Sequence, residues 1–328
     1  MSLVFLPVAV ALLSICTGRY PISPESVFRA LWQGLTNRST GVTAEEMIII
    51  TRIRLPRTIM GAFVGAALAA SGTAFQGIFR NPLVSSGILG VSSGASLGAA
   101  VSILLFSNYM LTPLFAFLFG LLAVLLSYMV GRIHNATTTV TLVLGGTIIS
   151  GIFSSLLSFI KYIADPLNKL PAITFWTMGS LASIVSSNIV FAVVPITVGI
   201  TLLLFSGWNI NVLSMGDIEA KMLGLNAGAA KLVVVVGATL ATAGAVCISG
   251  TIGWVGLIVP HIARMLMGND NRRLMPASLS MGACFLILID ILCRVITSAE
   301  IPLGILTSVI GGPFFIYLIK KKKGNGWV

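Results

Sequence analysis

The sequence predicts an all-α polytopic membrane protein with about ten transmembrane helices. Of its 328 residues, 56% are hydrophobic and only 9% are charged, and the mean hydropathy is +1.03. Soluble domains carry roughly 25% charged residues, so this composition indicates a chain that lies in lipid. At about 20 residues for each span, the length is taken up by roughly ten spans and their loops. We therefore expect one transmembrane domain over residues 1–328 and no soluble catalytic domain.

Apolar segments alternate with short polar loops along the whole chain. The predicted spans are 2–17, 58–79, 86–106, 111–130, 140–160, 189–205, 232–248, 251–267, 274–292 and 305–319. Residues 21–43 are predicted to hold a short amphipathic helix at the membrane surface, and residues 172–184 to form an interfacial or re-entrant piece. The four cysteines lie in or beside apolar runs without metal-ligand spacing, so we interpret them as small hydrophobic residues.

Charge patterning argues for lipid and protein partners rather than nucleic acid. The formal net charge is +11, but the basic residues are scattered over many loops instead of lining one face. Lysine and arginine divide almost evenly between the two predicted sides, which gives little guidance on orientation. The four consecutive lysines at 320–323 are the strongest cytoplasmic anchor, and an even number of spans then places both termini inside.

The segment 54–90 is the most informative stretch of the sequence. No charged residue lies between Thr58 and Phe79, and about 20 residues at 1.5 Å rise cross a hydrocarbon core of roughly 30 Å. Gly61 and Gly65 are spaced so that a neighbouring helix can approach closely. Pro82 disfavours a helical conformation in the residue before it, so the helix is predicted to end near Arg80.

Three blocks of sequence together resemble a known family. They are RLPRTIMGAFVGAALAASGTAFQGIFRNPLVSSGILG at 54–90, GTIGWVGLIVPHIARMLMGNDNRRLMPAS at 250–278 and EIPLGILTSVIGGPFFIYLIK at 300–320. In this order they resemble the FecCD family, the membrane permeases of ABC importers for vitamin B12, ferric siderophores and haem. The resemblance implies a type II ABC importer permease in the cytoplasmic (inner) membrane of a prokaryote. It also implies a homodimer of this chain, two ATP-binding cassette subunits and an extracytoplasmic substrate-binding protein.

Arginines crowd the predicted outer ends of the second and ninth spans, without an equal number of acidic residues beside them. The resemblance assigns Arg54, Arg57 and Arg294 to docking, because family arginines at matching positions pair with glutamates of the binding protein. The planar guanidinium group suits this role, since it meets a carboxylate through two hydrogen bonds. The alternative is that these side chains extend to lipid headgroups. Asp290 could also neutralise Arg294 at i,i+4 spacing.

The longest polar segment assigned to the cytoplasm is 208–228. Its acidic residues precede a short helical pattern that Gly224 would end, as suits the helix dipole. The segment resembles the coupling helices that the family inserts into the ATPase subunit. On that resemblance the coupling residues are Asp217, Ala220, Leu223 and Gly224. The alternative is an amphipathic loop that has no partner.

Two further sets of residues follow from the resemblance. Asn81 and Leu83 match positions that narrow the cytoplasmic exit in the family, and Thr139 with Val140 falls near a second constriction. His261 lies in an otherwise apolar span, where an ionisable group tends to be functional. We expect a structural or coupling role for it, with ligand binding as the alternative.

The sequence also predicts what the chain does not do by itself. It contains no G-x-x-x-x-G-K-[ST] phosphate loop, so we expect no ATPase activity in this chain. The cysteines lack metal-ligand spacing, and we expect no metal site and no cofactor either. ATP and magnesium are expected in the partner ATPase. The family resemblance, rather than any single residue, implies a bulky iron chelate as cargo, either a ferric siderophore or haem, ahead of vitamin B12. The alternative function is an ion-coupled secondary transporter, which would need carboxylates near the middle of the membrane.

Overall fold

The computed structural model describes residues 2–36, 41–106, 109–133, 136–137, 139–182, 184, 189–297 and 299–321. The helices are α1 (Ser2–Cys16), α2 (Pro24–Thr36), α3 (Ala44–Ile48), α4 (Leu55–Ile78), α5 (Val91–Leu105), α6 (Thr112–Gly131), α7 (Thr139–Ile163), α8 (Lys169–Met178), α9 (Ile189–Phe205), α10 (Gly207–Met215), α11 (Asp217–Met222), α12 (Ala227–Ser249), α13 (Val255–Met267), α14 (Asn271–Val295) and α15 (Leu303–Lys321). A π-helix at Ile49–Arg54 joins α3 to α4, and a 3₁₀ turn at Tyr109–Leu111 precedes α6. Two two-residue strands, β1 (Arg132–Ile133) and β2 (Ala136–Thr137), form an antiparallel pair.

The all-α membrane fold predicted from the sequence is confirmed. Each predicted span coincides with a helix: α1, α4, α5, α6, α7, α9, α12, α13, α14 and α15. Within the described residues, five helical segments are long and apolar enough to cross a membrane, and α9 with α10 forms a sixth candidate that bends by 58°. The other predicted spans are shorter apolar helices, so their lengths alone do not decide whether they cross.

The second span begins earlier than predicted. Helical structure runs without a break from Ala44 to Ile78, although the predicted span began at Thr58. Thr43 and Glu46 form a capping box, in which each side chain accepts a hydrogen bond from the other residue's backbone N–H. The π-helix at Ile49–Arg54 ends two residues before Pro56, which lacks the N–H that a regular helix would use.

Helix α4 lies at the centre of the fold and packs on α12, α13 and α14. Its small residues allow backbones to approach: a Cβ atom placed on Gly65 would lie 2.1 Å from the carbonyl oxygen of Gly282, and one on Gly72 would lie 1.9 Å from that of Gly256. The predicted close packing at Gly65 is confirmed. A Cβ atom on Gly61 would instead make ordinary contact with Leu181, at 3.4 Å.

Two shorter segments outside the predicted spans also contain helices, and their position relative to the membrane stays a prediction. The predicted surface helix in 21–43 is α2, which buries Val27 and Ala30 and exposes the stacked rings of Phe28 and Trp32. The segment predicted to be too short to span contains α8, which ends at Gly179 in a left-handed conformation with φ of 74°. The chain beyond α8 is held by backbone hydrogen bonds of 2.8 Å, from Ser180 N to Ser249 O and from Leu303 N to Gly179 O.

Candidate functional site

Charged side chains gather at the two opposite ends of α4. We call the first group the arginine cluster: Arg54, Arg57, Asp290, Arg294 and Glu300. It lies where α1 ends, α4 begins, α14 ends and the loop to α15 starts. The second group, Arg80 and Arg264, lies around the C-terminal end of α4, beside α10 and α13.

Arg57 is the centre of the arginine cluster. Its Nε donates to Asp290 Oδ1 at 2.9 Å, and its NH1 group donates to Glu300 Oε2 at 2.9 Å. The side chains of Arg57 and Asp290 are 8% and 2% exposed, whereas that of Glu300 is 31% exposed. Arg57 is therefore paired with one buried carboxylate and one that solvent can reach.

The other two arginines attach α1 to the bundle. Arg54 donates to the carbonyl oxygens of Ile15 at 2.8 Å and Tyr20 at 2.5 Å, at and beyond the C-terminal end of α1. Arg294 donates to Ser14 Oγ at 2.8 Å and pairs with Asp290 Oδ2 at 3.1 Å. Arg294 also donates to Thr17 O at 3.2 Å, so both guanidinium groups satisfy carbonyl oxygens that the C-terminal end of α1 leaves without helical partners.

Burial of the three arginines was not expected from the sequence. Arg54, Arg57 and Arg294 are buried, and the two carboxylates beside them are fewer than the arginines, as expected. The i,i+4 spacing of Asp290 and Arg294 was visible in the sequence and is confirmed. Glu300 was missed because it approaches Arg57 from a loop 243 residues away in sequence. Docking through these arginines stays a prediction.

The segment 208–228 forms α10, α11 and the turn that follows. Gly224 has φ of 78°, and Leu225 N donates to Ala220 O at 2.9 Å, as in a Schellman motif. Leu223 is exposed, whereas Ala220 is fully buried and packs inward. Asp217 pairs with Lys231 of α12 at 2.6 Å, a contact that the sequence analysis missed. The lone lysine in an otherwise apolar helix was the available signal, because a buried amine needs a counter-ion.

Exposed apolar side chains distinguish this segment from an ordinary polar loop. Met215, Ile218, Met222 and Leu223 are each more than half exposed, and we call them the α11 patch. Exposed apolar surface grouped in this way marks an interaction site in many proteins.

The predicted gate residues lie at helix ends. Asn81 and Leu83 are exposed in the loop between α4 and α5, where Asn81 Oδ1 accepts a hydrogen bond from Leu83 N at 2.9 Å. Thr139 and Val140 form the start of α7, and Val140 is exposed. A role as gates stays a prediction for all four. In the run 320–323, Lys322 and Lys323 lie outside the described residues.

A pocket of about 560 Å³ opens beside the C-terminal end of α4. Its lining includes Gln76, Arg80, Asn81, His261, Arg264 and Asn271. His261 is buried, and its ring lies 6.4 Å from that of Phe315. The structure thus brings together residues from two of the three sequence blocks, 54–90 and 250–278, which the sequence analysis treated separately. Among the described residues there is no group of three or more His, Cys, Asp or Glu side chains that could hold a metal ion.

Comparison with known proteins decides the family. The model of the FecCD transport family matches residues 6–321. The chain belongs to the FecCD transport family. Members of this family are the membrane permease subunits of ABC importers and act with separate ATPase and binding-protein partners.

Three relatives illustrate the range of the FecCD family. The molybdate import permease MolB of Haemophilus influenzae is 39% identical over 99% of this chain and 96% of its own length. A protein of Helicobacter pylori (strain 26695) named as an iron chelatin transport permease is 40% identical over 84% of each chain. A solved ABC transporter assigned to the metal-chelate type, in an inward-facing conformation, is 37% identical and superposes with a TM-score of 0.86 over 98% of both chains.

Proposed function

We propose that this chain forms a homodimer that imports an iron chelate, using ATP hydrolysis in two separate ATPase subunits. The observation that carries the proposal is the α11 patch, apolar surface on a polar segment outside the predicted spans. Such surface is stabilised when a partner covers it. In an FecCD permease the partner that fits is the ATPase, with Leu223 and Met222 inserted into its groove.

The coupling role rests on how firmly the patch is held. Asp217 and Lys231 join α11 to α12, and the buried Ala220 packs the helix against the bundle. Because α12 packs on α4 and α9, a displacement of α11 by the ATPase would move the central helices as well. Ala220, Asp217 and Gly224 therefore position the segment, and Leu223 contacts the partner.

The proposed path for the cargo is a weakly polar face of α7. Its exposed small residues recur every three or four positions on one side of the helix: Thr147, Gly151, Ser154, Ser155 and Ser158. None of them is charged, so this face offers hydroxyl groups without strong metal ligands. A bulky chelate can slide along such a wall without being trapped. Asn81 and Leu83, with Thr139 and Val140, would close the path at its inner end.

The similarity to MolB favours a second candidate cargo, an oxyanion such as molybdate. The two cargoes differ in size and in charge. A wide neutral path favours the chelate, whereas an oxyanion would need cationic groups along its route.

Docking of the binding protein is proposed at the arginine cluster. Carboxylates of the binding protein would replace Glu300, the more exposed counter-ion of Arg57. The buried Asp290 would keep Arg57 and Arg294 in place during the exchange. Both termini then lie in the cytoplasm, with the α11 patch on the same side.

The cargo experiment uses the complete transporter in proteoliposomes with its binding protein. Ferric siderophore, haem, vitamin B12 and molybdate are added in turn, and ATP hydrolysis is measured. We expect stimulation by an iron chelate. Stimulation by molybdate alone would replace the cargo and leave the permease role intact, and stimulation by none of the four would contradict the proposed substrate class.

A further inference from the structure

The pocket beside the C-terminal end of α4 has an unusual balance of charge. Arg80 and Arg264 line it, and no aspartate or glutamate does. Neither arginine forms an ion pair with any residue that the structure describes. At the arginine cluster, in contrast, two of the three guanidinium groups are paired with carboxylates and the third donates to helix-end carbonyls. The pocket therefore holds uncompensated positive charge.

The acidic residue that lies between two lining residues in sequence does not neutralise this charge. Asp270 lies between two lining residues, Asn269 and Asn271, but its carboxylate accepts hydrogen bonds from Asn211 Nδ2 at 2.6 Å and from Arg272 N at 3.0 Å. These hydrogen bonds, that from Asn211 first, lower the pKa of Asp270 to about 2. Asp270 is thus ionised and committed to partners on α10 and α14.

The pocket also contains two buried acceptors that lack a donor. Gln76 and Asn271 are 3% and 4% exposed, and neither Gln76 Oε1 nor Asn271 Oδ1 has a hydrogen-bond partner in the described part of the chain. Their amide orientations are set by neighbours, because Asn271 Nδ2 donates to Asn211 Oδ1 at 2.8 Å and Gln76 Nε2 faces the carbonyl of Val84 at 3.3 Å. Both amide oxygens are therefore available to accept a hydrogen bond from a ligand in the pocket.

A ligand for this pocket must accept hydrogen bonds from arginine and donate one to an amide oxygen. A fully deprotonated anion meets only the first demand, and a cation meets only the second. An oxyanion that keeps an O–H group meets both.

The backbone of Arg80 is in the left-handed region, with φ of 49°, a conformation that non-glycine residues seldom adopt and that is enriched at functional sites.

We propose that this pocket binds a phosphate group that carries a proton, either free hydrogen phosphate or the phosphomonoester headgroup of a lipid. Arg80 and Arg264 donate to its anionic oxygens, and Gln76 and Asn271 accept from its hydroxyl group. The pocket adjoins the loop of Asn81 and the end of α10, so occupancy at this position stiffens the junction between α4, α10 and α13.

The test measures phosphate binding to the full chain in nanodiscs by calorimetry. In discs of phosphatidylcholine alone, we expect inorganic phosphate to bind and R80Q and R264Q each to weaken it about tenfold or more, as for loss of one charge-assisted hydrogen bond. R273Q is the matched control, because Arg273 is exposed at the same end but does not line the pocket. If free phosphate fails to bind, the unmodified chain and R264Q are each prepared in discs that contain phosphatidate and are compared by native mass spectrometry. Phosphatidate that stays bound to the unmodified chain but not to R264Q assigns the site to a lipid headgroup.

The amide oxygens are tested by comparing anions. Sulfate has the shape of phosphate but no proton at neutral pH, so we expect it to bind at least severalfold more weakly, and the Q76M variant to reduce this preference. Equal binding of sulfate and phosphate overturns the role of the amide oxygens. Binding that is unchanged in the R80Q/R264Q double variant, or no binding of either phosphate source, overturns the proposal. So does a result in which the arginine variants weaken only association with the ATPase.

Discussion

The two ends of α4 use arginine in opposite ways. At its beginning, Arg57 is buried against Asp290 and Glu300, and Arg54 holds the end of α1 through carbonyl oxygens. At its far end, Arg80 and Arg264 face an open pocket without carboxylates. A buried guanidinium group with partners fixes the helices around it, whereas one without partners is available to a ligand or another protein. We therefore expect the first end to be rigid, with Glu300 as the one counter-ion that a partner could displace, and the second end to bind a ligand or partner.

The largest effect is expected from Asp290→Asn, which removes the buried carboxylate shared by Arg57 and Arg294. Breaking a buried pair of this kind costs about 3–5 kcal/mol. Thermal unfolding of the purified chain should show a large loss of stability. The matched control is Glu25→Gln, which removes an exposed i,i+4 pair with Arg29 and should cost less than about 1 kcal/mol. Equal losses for the two variants would contradict a rigid first end.

Replacing Leu223 with aspartate should uncouple transport at the second end. In the bound complex the new carboxylate would enter an apolar groove at a cost of several kcal/mol. Cargo-stimulated ATP hydrolysis should fall to the basal rate, while thermal stability of the isolated chain stays unchanged because Leu223 is exposed. Leu223→Met keeps the apolar contact and should remain coupled. Normal stimulation in the aspartate variant would show that the α11 patch does not contact the ATPase.

The exchangeable contact at the first end is tested by Glu300→Gln. Arg57 keeps Asp290, and Glu300 is partly exposed, so stability should fall by about 1 kcal/mol or less. Because the variant lacks the Glu300 carboxylate that competes for Arg57, the binding protein should stimulate ATP hydrolysis at a severalfold lower concentration. Glu25→Gln again serves as control, since Glu25 is exposed and does not contact Arg57. An unchanged or higher half-maximal concentration of the binding protein would show that Glu300 does not compete with it for Arg57.

A small effect, on stability alone, is expected from Asp217→Asn, which leaves the buried Lys231 without its counter-ion. Lys231 is only 5% exposed, but Asp217 is 47% exposed and lies at the surface, so the expected loss of stability is about 1 kcal/mol. Glu219→Gln is the control, because Glu219 forms no ion pair among the described residues. A larger loss from Glu219→Gln would show that the 2.6 Å pair does not anchor α11.

The sequence predicted features that depend on local composition and missed those that depend on distant contacts. Apolar run length located the spans, and glycine spacing located the close approach of Gly65 to Gly282. The early start of the second span was missed because the charges at 45–54 obscured it, although Thr43 and Glu46 carried a capping-box signal. The pairing of Glu300 with Arg57 joins residues 243 positions apart, and no local pattern announces such a contact.

The segment around α11 also shows that local sequence did not predict which side chains face the bundle. The resemblance to the FecCD family pointed to Ala220, Leu223 and Gly224 together, but the structure separates them. Leu223 is exposed, Ala220 is buried, and Gly224 adopts the left-handed conformation that ends the helix. The periodicity of a six-residue helix is too short to decide which side faces the bundle.

The central claim is that this permease depends on a separate ATPase, and uptake into proteoliposomes tests it most directly. Vesicles containing the chain alone, or the chain with its ATPase and binding protein, are given labelled ferric chelate with and without internal ATP and with imposed proton or sodium gradients. We predict uptake only in vesicles that contain all three proteins and ATP. Uptake by the chain alone, driven by an ion gradient, would contradict the account and identify a secondary transporter.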